Sequence, residues 1–173
     1  MRVSRTKSFS DLKIKSLKEL KSIILRLKEQ GKRIVFTNGC FDLLHYGHIR
    51  YLEEAKNKGD ILVVAINSDS SVRRLKGAPR PLVKEDDRAR ILAGLESIDY
   101  VIIFKEDTPI SVIRELKPDV LIKGSDWQLR DIVGADFVKS YGGEVLRIRL
   151  IPNRSTTNLI KKIVRAFEGK QIN

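Results

Sequence analysis

An α/β fold built on an open parallel sheet of about five strands, with helices on both faces, is predicted by three features of the 173-residue sequence. Short Val- and Ile-rich runs alternate with stretches of helical periodicity. The runs are apolar almost throughout, as strands buried on both faces require, and the two kinds of segment follow one another along the whole chain. At about 150 residues per domain this is one domain, read as an N-terminal extension and helix over 1–31, a catalytic core over 32–168 and a tail over 169–173.

The elements follow in order. Ser16 opens a capping box with Glu19, and Leu17, Leu20, Ile24 and Leu27 recur at helical spacing until Gly31. Strands are expected over 33–37, 61–66, 100–104, 120–122 and 144–150. Helices are expected over 46–58, 84–97, 109–116, 129–141 and 156–168. Between 69 and 83 periodicity is weakest, and Gly77, Pro79 and Pro81 mark an irregular loop. Its charges and lack of apolar pattern give 70–83 the character of a mobile lid over an anionic ligand.

Composition narrows the function. Hydrophobic residues make up 42% and charged residues 32%, which supports a core inside a charged shell and excludes disordered or collagen-like chains. No apolar run approaches the roughly 18 to 20 residues that span a bilayer, so no membrane helix or signal core is expected and the chain is placed in the cytoplasm. One cysteine, Cys40, provides neither an internal disulfide nor a Cys-rich zinc site. Lys and Arg number 34 against 22 Asp and Glu, a formal charge of +12 that concentrates anions around the molecule. Basic residues are interspersed with acidic ones and only 6% of residues are aromatic, so a base-stacking nucleic-acid surface is not expected.

In open parallel sheets of this Rossmann-like kind, ligands bind beyond the carboxyl ends of the strands, where strand order reverses. Those ends carry Asn38-Gly39-Cys40-Phe41-Asp42, Asn67-Ser68-Asp69, Lys123-Gly124-Ser125-Asp126-Trp127 and Arg154-Ser155-Thr156-Thr157. Both histidines of the chain lie in His45-Tyr46-Gly47-His48, at the start of the helix after the first strand. A spacing of three sets the two imidazoles side by side, Gly47 leaves room for a ligand at the backbone, and the free amides of the first turn attract an anion. Two donors facing a phosphate is the favoured reading. A structural histidine pair and a metal site completed by Asp42 are the alternatives.

Gly39-Cys40-Phe41-Asp42 leading into His45-Tyr46-Gly47-His48 resembles the signature of the cytidylyltransferase-like nucleotidyltransferase superfamily. A lone His-x-Gly-His also resembles class I aminoacyl-tRNA synthetases, but the chain has no Lys-Met-Ser-Lys-Ser-like segment. Phe36 to Asp42, Asn67-Ser68-Asp69, Leu75-Lys76-Gly77 with Arg80-Pro81, Glu106 to Pro109, Lys123 to Trp127 and Ser155-Thr156-Thr157-Asn158 together resemble the adenylyltransferase domain of the ADP-heptose synthase family. The similarity runs from about Leu17 to Phe167. One position departs: Leu150 stands where the related glycerol-phosphate cytidylyltransferases carry an arginine, with Arg149 and Arg154 nearby.

The resemblance implies transfer of an adenylyl group from ATP, carried with Mg²⁺, to D-glycero-D-manno-heptose 1-phosphate on the route to the lipopolysaccharide core. It also implies a homodimer and a separate heptose kinase earlier in the pathway. His45, His48 and Lys76 are the candidate catalytic residues. Gly39, Cys40, Phe41, Gly47, Gly124, Asp126, Trp127, Ser155, Thr156 and Thr157 are candidates for the nucleotide, with the two histidines. Asn38, Asp69, Arg80 and Lys123 are candidates for the sugar phosphate, and no residue is assigned to a metal. Asp42 is read as an anchor for the Gly39 turn, and Arg88 as a fold or dimer contact or a ligand. A phospho-alcohol cytidylyltransferase and a basic nucleic-acid-binding module are the rival functions.

Overall fold

The computed structural model of the chain describes residues 8–168; the tail at 169–173 and the first seven residues of the N-terminal extension lie outside the described residues. Capping boxes start the first two helices: Ser8 with Asp11 opens α1 (Phe9–Lys13), and Ser16 with Glu19 opens α2 (Leu17–Glu29). Then come β1 (Ile34–Gly39), α3 (Tyr46–Lys56), β2 (Ile61–Asn67), α4 (Asp69–Lys76), α5 (Glu85–Ala93) and β3 (Tyr100–Phe104). The chain continues through α6 (Ile110–Leu116), β4 (Val120–Gly124), a 3-10 turn (Leu129–Asp131), α7 (Ala135–Ser140), β5 (Glu144–Ile148) and α8 (Thr156–Phe167).

All five strands are parallel, in the order β3-β2-β1-β4-β5. The predicted fold class therefore holds, and the order reverses between β1 and β4. One core lies beneath α3 and α5 and includes Val35, Leu52, Val64, Leu92 and Ile122. The other lies beneath α2, α6 and α7 and includes Leu20, Phe36, Ala65, Ile113 and Leu121. Carboxylates fasten the amino edge of the sheet: Asp119 accepts from the Ile34 amide at 2.7 Å and Asp99 from the Leu62 amide at 2.6 Å. The opposite edge is left to the polar segments.

Three expectations need correction. The irregular stretch at 69–83 is helical in its first half, because Ser68 caps α4 by accepting from the Ser71 amide and Ser71 and Val72 are buried. Only Gly77, at φ +73, ends that helix. The helix expected over 84–97 stops at Ala93, and the one over 129–141 is divided by Gly134, whose φ of +86 is a left-handed conformation that no regular helix contains. The five residues of α1 are too few to show periodicity and were not expected.

Leu20 is fully buried between α2 and the sheet. Leu20→Ala is expected to lower unfolding stability by about 2–5 kcal/mol in urea titrations, the range for deleting a buried leucine side chain.

Candidate active site

At the carboxyl edge, where β1 and β4 diverge, the chain forms a cleft of about 720 Å³. Its walls contain Asn38, Gly39, Cys40, Phe41, His45, Gly47, His48, Lys76, Arg80, Lys123, Gly124, Asp126, Trp127, Ser155, Thr156 and Thr157. Asp69 is the one candidate that does not line it. Tyr51, Asn67, Thr108, Pro109, Val133 and Arg154 line it as well. Tyr51 was legible as the residue one turn beyond His48 on the same helix face; Val133 had no signal, because its place depends on the break at Gly134.

His45 is the N-cap of α3 and His48 lies in its first turn. Their rings stack with centroids 3.9 Å apart and 17° between planes, and Phe41 closes over His48 at 5.3 Å. Neither Nδ1 has a hydrogen-bond partner among the described residues. Burial is the main reason His48 is pulled down to about 4, with His45 adding to the effect. Burial also lowers His45, and the nearby Arg154 adds to it, against an opposing interaction of the ring with its own backbone. At neutral pH both rings are therefore uncharged, each with one N–H to donate.

Gly47 lines the cleft and has a packing role that its sequence context did not show. A Cβ there would lie 3.0 Å from Arg154 Cβ and 3.0 Å from His45 Nδ1. Its missing side chain thus admits the chain leading into α8, which brings Arg154 to the histidines. Arg154, and not Arg149, lines the cleft beside Leu150, so it is the arginine available where the related cytidylyltransferases carry one. Ser155 caps α8 by accepting from the Asn158 amide at 3.1 Å, and Thr156 donates to the Leu43 carbonyl at 3.1 Å. What α8 presents to a ligand is its amino-terminal turn.

Asp42 anchors a different segment from the Gly39 turn. Its carboxylate accepts from the Leu82 and Val83 amides at 2.9 Å and from Arg80 Nε at 2.5 Å. Burial raises this carboxyl, but the two amides and the guanidinium outweigh it and hold it below the ordinary aspartate value. The lid expected at 70–83 is thus tied down at both ends, by α4 and by Asp42. Arg88, 1% exposed, donates to the Cys40 carbonyl at 2.6 Å, the Val83 carbonyl at 2.9 Å and the Asp69 carboxylate at 2.7 Å. Arg88 is a fold contact, and Asp69 is occupied by it.

Cys40 is half-buried, and burial pushes its thiol up despite the pull of Lys76 and Arg88. It remains protonated at neutral pH. Trp127 is 44% exposed and is not a core residue. Among the described residues no three His, Cys, Asp or Glu side chains gather as a metal cage. No helix among the described residues is long and apolar enough to cross a membrane.

A parallel α/β domain that presents two helix amino termini, paired imidazoles and several cations to one cleft is a phosphate-handling, nucleotide-binding domain. Residues 36–168 match the cytidylyltransferase-like family model, and the chain belongs to that family of nucleotidyltransferases. It is 58% identical over 160 residues to the bifunctional protein HldE of Geobacter metallireducens, covering 92% of this chain and 33% of that one. HldE of Geobacter sulfurreducens is 54% identical over 157 residues, covering 91% and 32%. The chain thus spans about a third of the length of these curated relatives. Among solved structures, the lipopolysaccharide core biosynthesis protein of Thermoplasma volcanium superposes with a TM-score of 0.59 at 31% identity, covering 70% of this chain and 98% of that one. The pantoate-beta-alanine ligase of Francisella tularensis shares the fold at 18% identity, with a TM-score of 0.58 over 90% of this chain and 81% of that one.

Two outcomes test the site's geometry. In an NMR titration the His48 imidazole is expected to charge with a midpoint near 4. Because the unfolded chain then binds more protons between about 6.5 and 4, wild-type stability falls as pH drops through that window. The His48→Gln variant lacks that contribution, so its acid sensitivity is smaller; equal sensitivity would contradict a neutral buried ring. Asp42→Asn is expected to speed hydrogen exchange at the Leu82 and Val83 amides by about tenfold or more, as these donors lose a charged acceptor.

Proposed function

We propose that the chain transfers the adenylyl group of ATP to D-glycero-D-manno-heptose 1-phosphate, releasing pyrophosphate and ADP-heptose for lipopolysaccharide core synthesis. The reading rests above all on the stacked His45–His48 pair at the start of α3, in a cleft that also contains Lys76, Arg80 and Arg154. The motif resemblance and the HldE and lipopolysaccharide-core relatives support the choice of substrate.

A phosphate oxygen of the sugar phosphate attacks the α-phosphorus in line, and pyrophosphate departs from the opposite side. The nucleophile is already ionised, so no strong base is needed and catalysis reduces to positioning and charge neutralisation. His45 and His48 donate N–H bonds to the α- and β-phosphates beside the free amides of α3. Lys76 and Arg154 offset the triphosphate charge, and Arg80 presents the guanidinium nitrogens that Asp42 leaves free. The first turn of α8, from Ser155 to Thr157, takes the nucleotide, while Gly124, Asp126 and Trp127 frame its ribose and base. Asn38 and Lys123 face the sugar phosphate; Asp69 acts only through Arg88. Mg²⁺ would be held by the phosphate oxygens of ATP, hard ligands that suit it, and would offset their charge. A cytoplasmic homodimer that receives its sugar phosphate from a heptose kinase activity completes the proposal.

Pyrophosphate release with ATP or CTP, measured against a panel of phosphorylated sugars and alcohols with Mg²⁺, is the test. Release is expected with ATP and the heptose 1-phosphate; release only with CTP and a phospho-alcohol would establish the cytidylyltransferase reading instead. His48→Ala is expected to lower kcat by about 10²-fold or more with little loss of stability, as for removal of a preorganised donor. Near wild-type turnover in that variant would remove the phosphate role.

A further inference from the structure

Side chains alternate between the two faces of a strand. On β4, Val120 and Ile122 belong to the core under α3 and α5, whereas Leu121 belongs to the core under α2, α6 and α7. Lys123 therefore extends from the second face. By the same alternation Asn38 follows Phe36 on β1, and Asn67 follows Ala65 on β2. All three line the cleft, in company with Thr108 and Pro109 from the start of α6. The histidines lie on α3, across the sheet edge, so the cleft has two halves, one on each face.

Lys123 is a cation of the second half, and its surroundings are unusual for a part-buried amine. Nζ donates to the Asn38 carbonyl at 2.9 Å and lies 5.3 Å from the centre of the Trp127 ring. It forms no ion pair among the described residues. An ammonium carries three donors, and this one has a single protein acceptor while lining an open cleft. A part-buried charge without an ion-pair partner is partly desolvated at a cost, and a ligand that brings the opposite charge offsets that cost.

We propose that Lys123 is the recognition group for the acceptor's phosphate, so that the sugar phosphate occupies the half of the cleft opposite the histidines. This rests on the adenylyltransferase reading. The acceptor phosphate then approaches the α-phosphorus from the α6 side, while the histidine pair holds the nucleotide from the α3 side, which is the opposed placement that in-line attack demands. Cys40 from the turn after β1 and Asp126 from the segment after β4 are the titratable groups whose fields reach Lys123, both favouring its charge, but burial outweighs them and draws the amine down to about 8. Across the β4–β5 ladder, Arg147 donates to the Trp127 carbonyl, and Asp107 ahead of α6 is paired with Arg74.

The test is calorimetry on wild type and Lys123→Met, with circular dichroism confirming the fold. D-glycero-D-manno-heptose 1-phosphate is titrated onto enzyme loaded with a non-hydrolysable ATP analogue and Mg²⁺, and the analogue is titrated separately. The variant is expected to bind the sugar phosphate about 10- to 100-fold more weakly, the range for a lost charged hydrogen bond, and the analogue within about twofold of wild type. Weakened analogue binding with unchanged sugar-phosphate binding would assign Lys123 to the nucleotide and overturn the proposal, as would no change in either. Should the variant not fold, wild-type pH profiles decide: kcat/KM for the sugar phosphate should fall above about pH 8 while that for ATP stays level, and two level profiles refute the role. Lys123-dependent sugar-phosphate binding without pyrophosphate release would refute the reaction but not the phosphate site. Pyrophosphate release with only ATP affinity lost in the variant would refute the site but not the reaction.

Discussion

A guanidinium buried to 1% exposure must find acceptors for its donors, and the site is arranged around how Arg88 finds them. A buried charge left without its partners is strongly destabilising, so the three segments that supply acceptors are held together through Arg88. They are the turn after β1 through Cys40, the end of the 77–83 loop through Val83, and the first residue of α4 through Asp69. Lys76 closes α4 and Arg80 lies within the loop, so Arg88 helps to position both cations. Asp42 adds a second tie from the β1 side, at 1% side-chain exposure. Segments with little apolar surface of their own thereby present charge to the cleft in a set arrangement.

β1 contributes to both halves of the cleft by the simple fact of strand alternation. Thr37 faces α3, where its hydroxyl and that of Tyr51 share a hydrogen bond at 2.7 Å, and this joins the strand to the helix that begins with the histidines. The side chain of Asn38, one residue on, faces the other way, and its backbone carbonyl accepts from Lys123. A parallel sheet whose order reverses between β1 and β4 leaves room at that place for a ligand to reach both faces. A transfer between two phosphorylated molecules needs that access from two sides.

Elements with long, regular patterning were legible in the sequence. β3 coincides with its expected range, and the Ser16–Glu19 box starts α2 where it was read. The misses have local causes. α4 contains only Val72 and Leu75 as apolar side chains in eight residues, so its helix depends on the Ser68 cap and on burial of Ser71, neither of which periodicity reports. Around Gly134 an apolar pattern continues through a backbone break. Of the site, motif residues could be read because they sit at strand ends and helix starts. The partners of Asp42, Arg88 and Gly47 could not be read, because Leu82, Cys40 and Arg154 meet them only through long-range packing.

The electrostatics of the cleft divide into two kinds of group. Two imidazoles stacked at 3.9 Å in a half-buried site do not both carry charge, and burial keeps even one from doing so at neutral pH. Positive charge is therefore supplied by Lys76, Arg80, Lys123 and Arg154, against a chain-wide background of +12 that draws anions inward. In the proposed reaction the histidines supply direction: an N–H aimed at a particular oxygen, without the desolvation cost of a buried cation. A bound triphosphate reverses the balance, since its negative charge favours the imidazolium that burial disfavours. In the proposed reaction, proton affinity at the histidines rises with nucleotide in place, where charge develops on the leaving pyrophosphate, and the empty cleft is spared two like charges in contact.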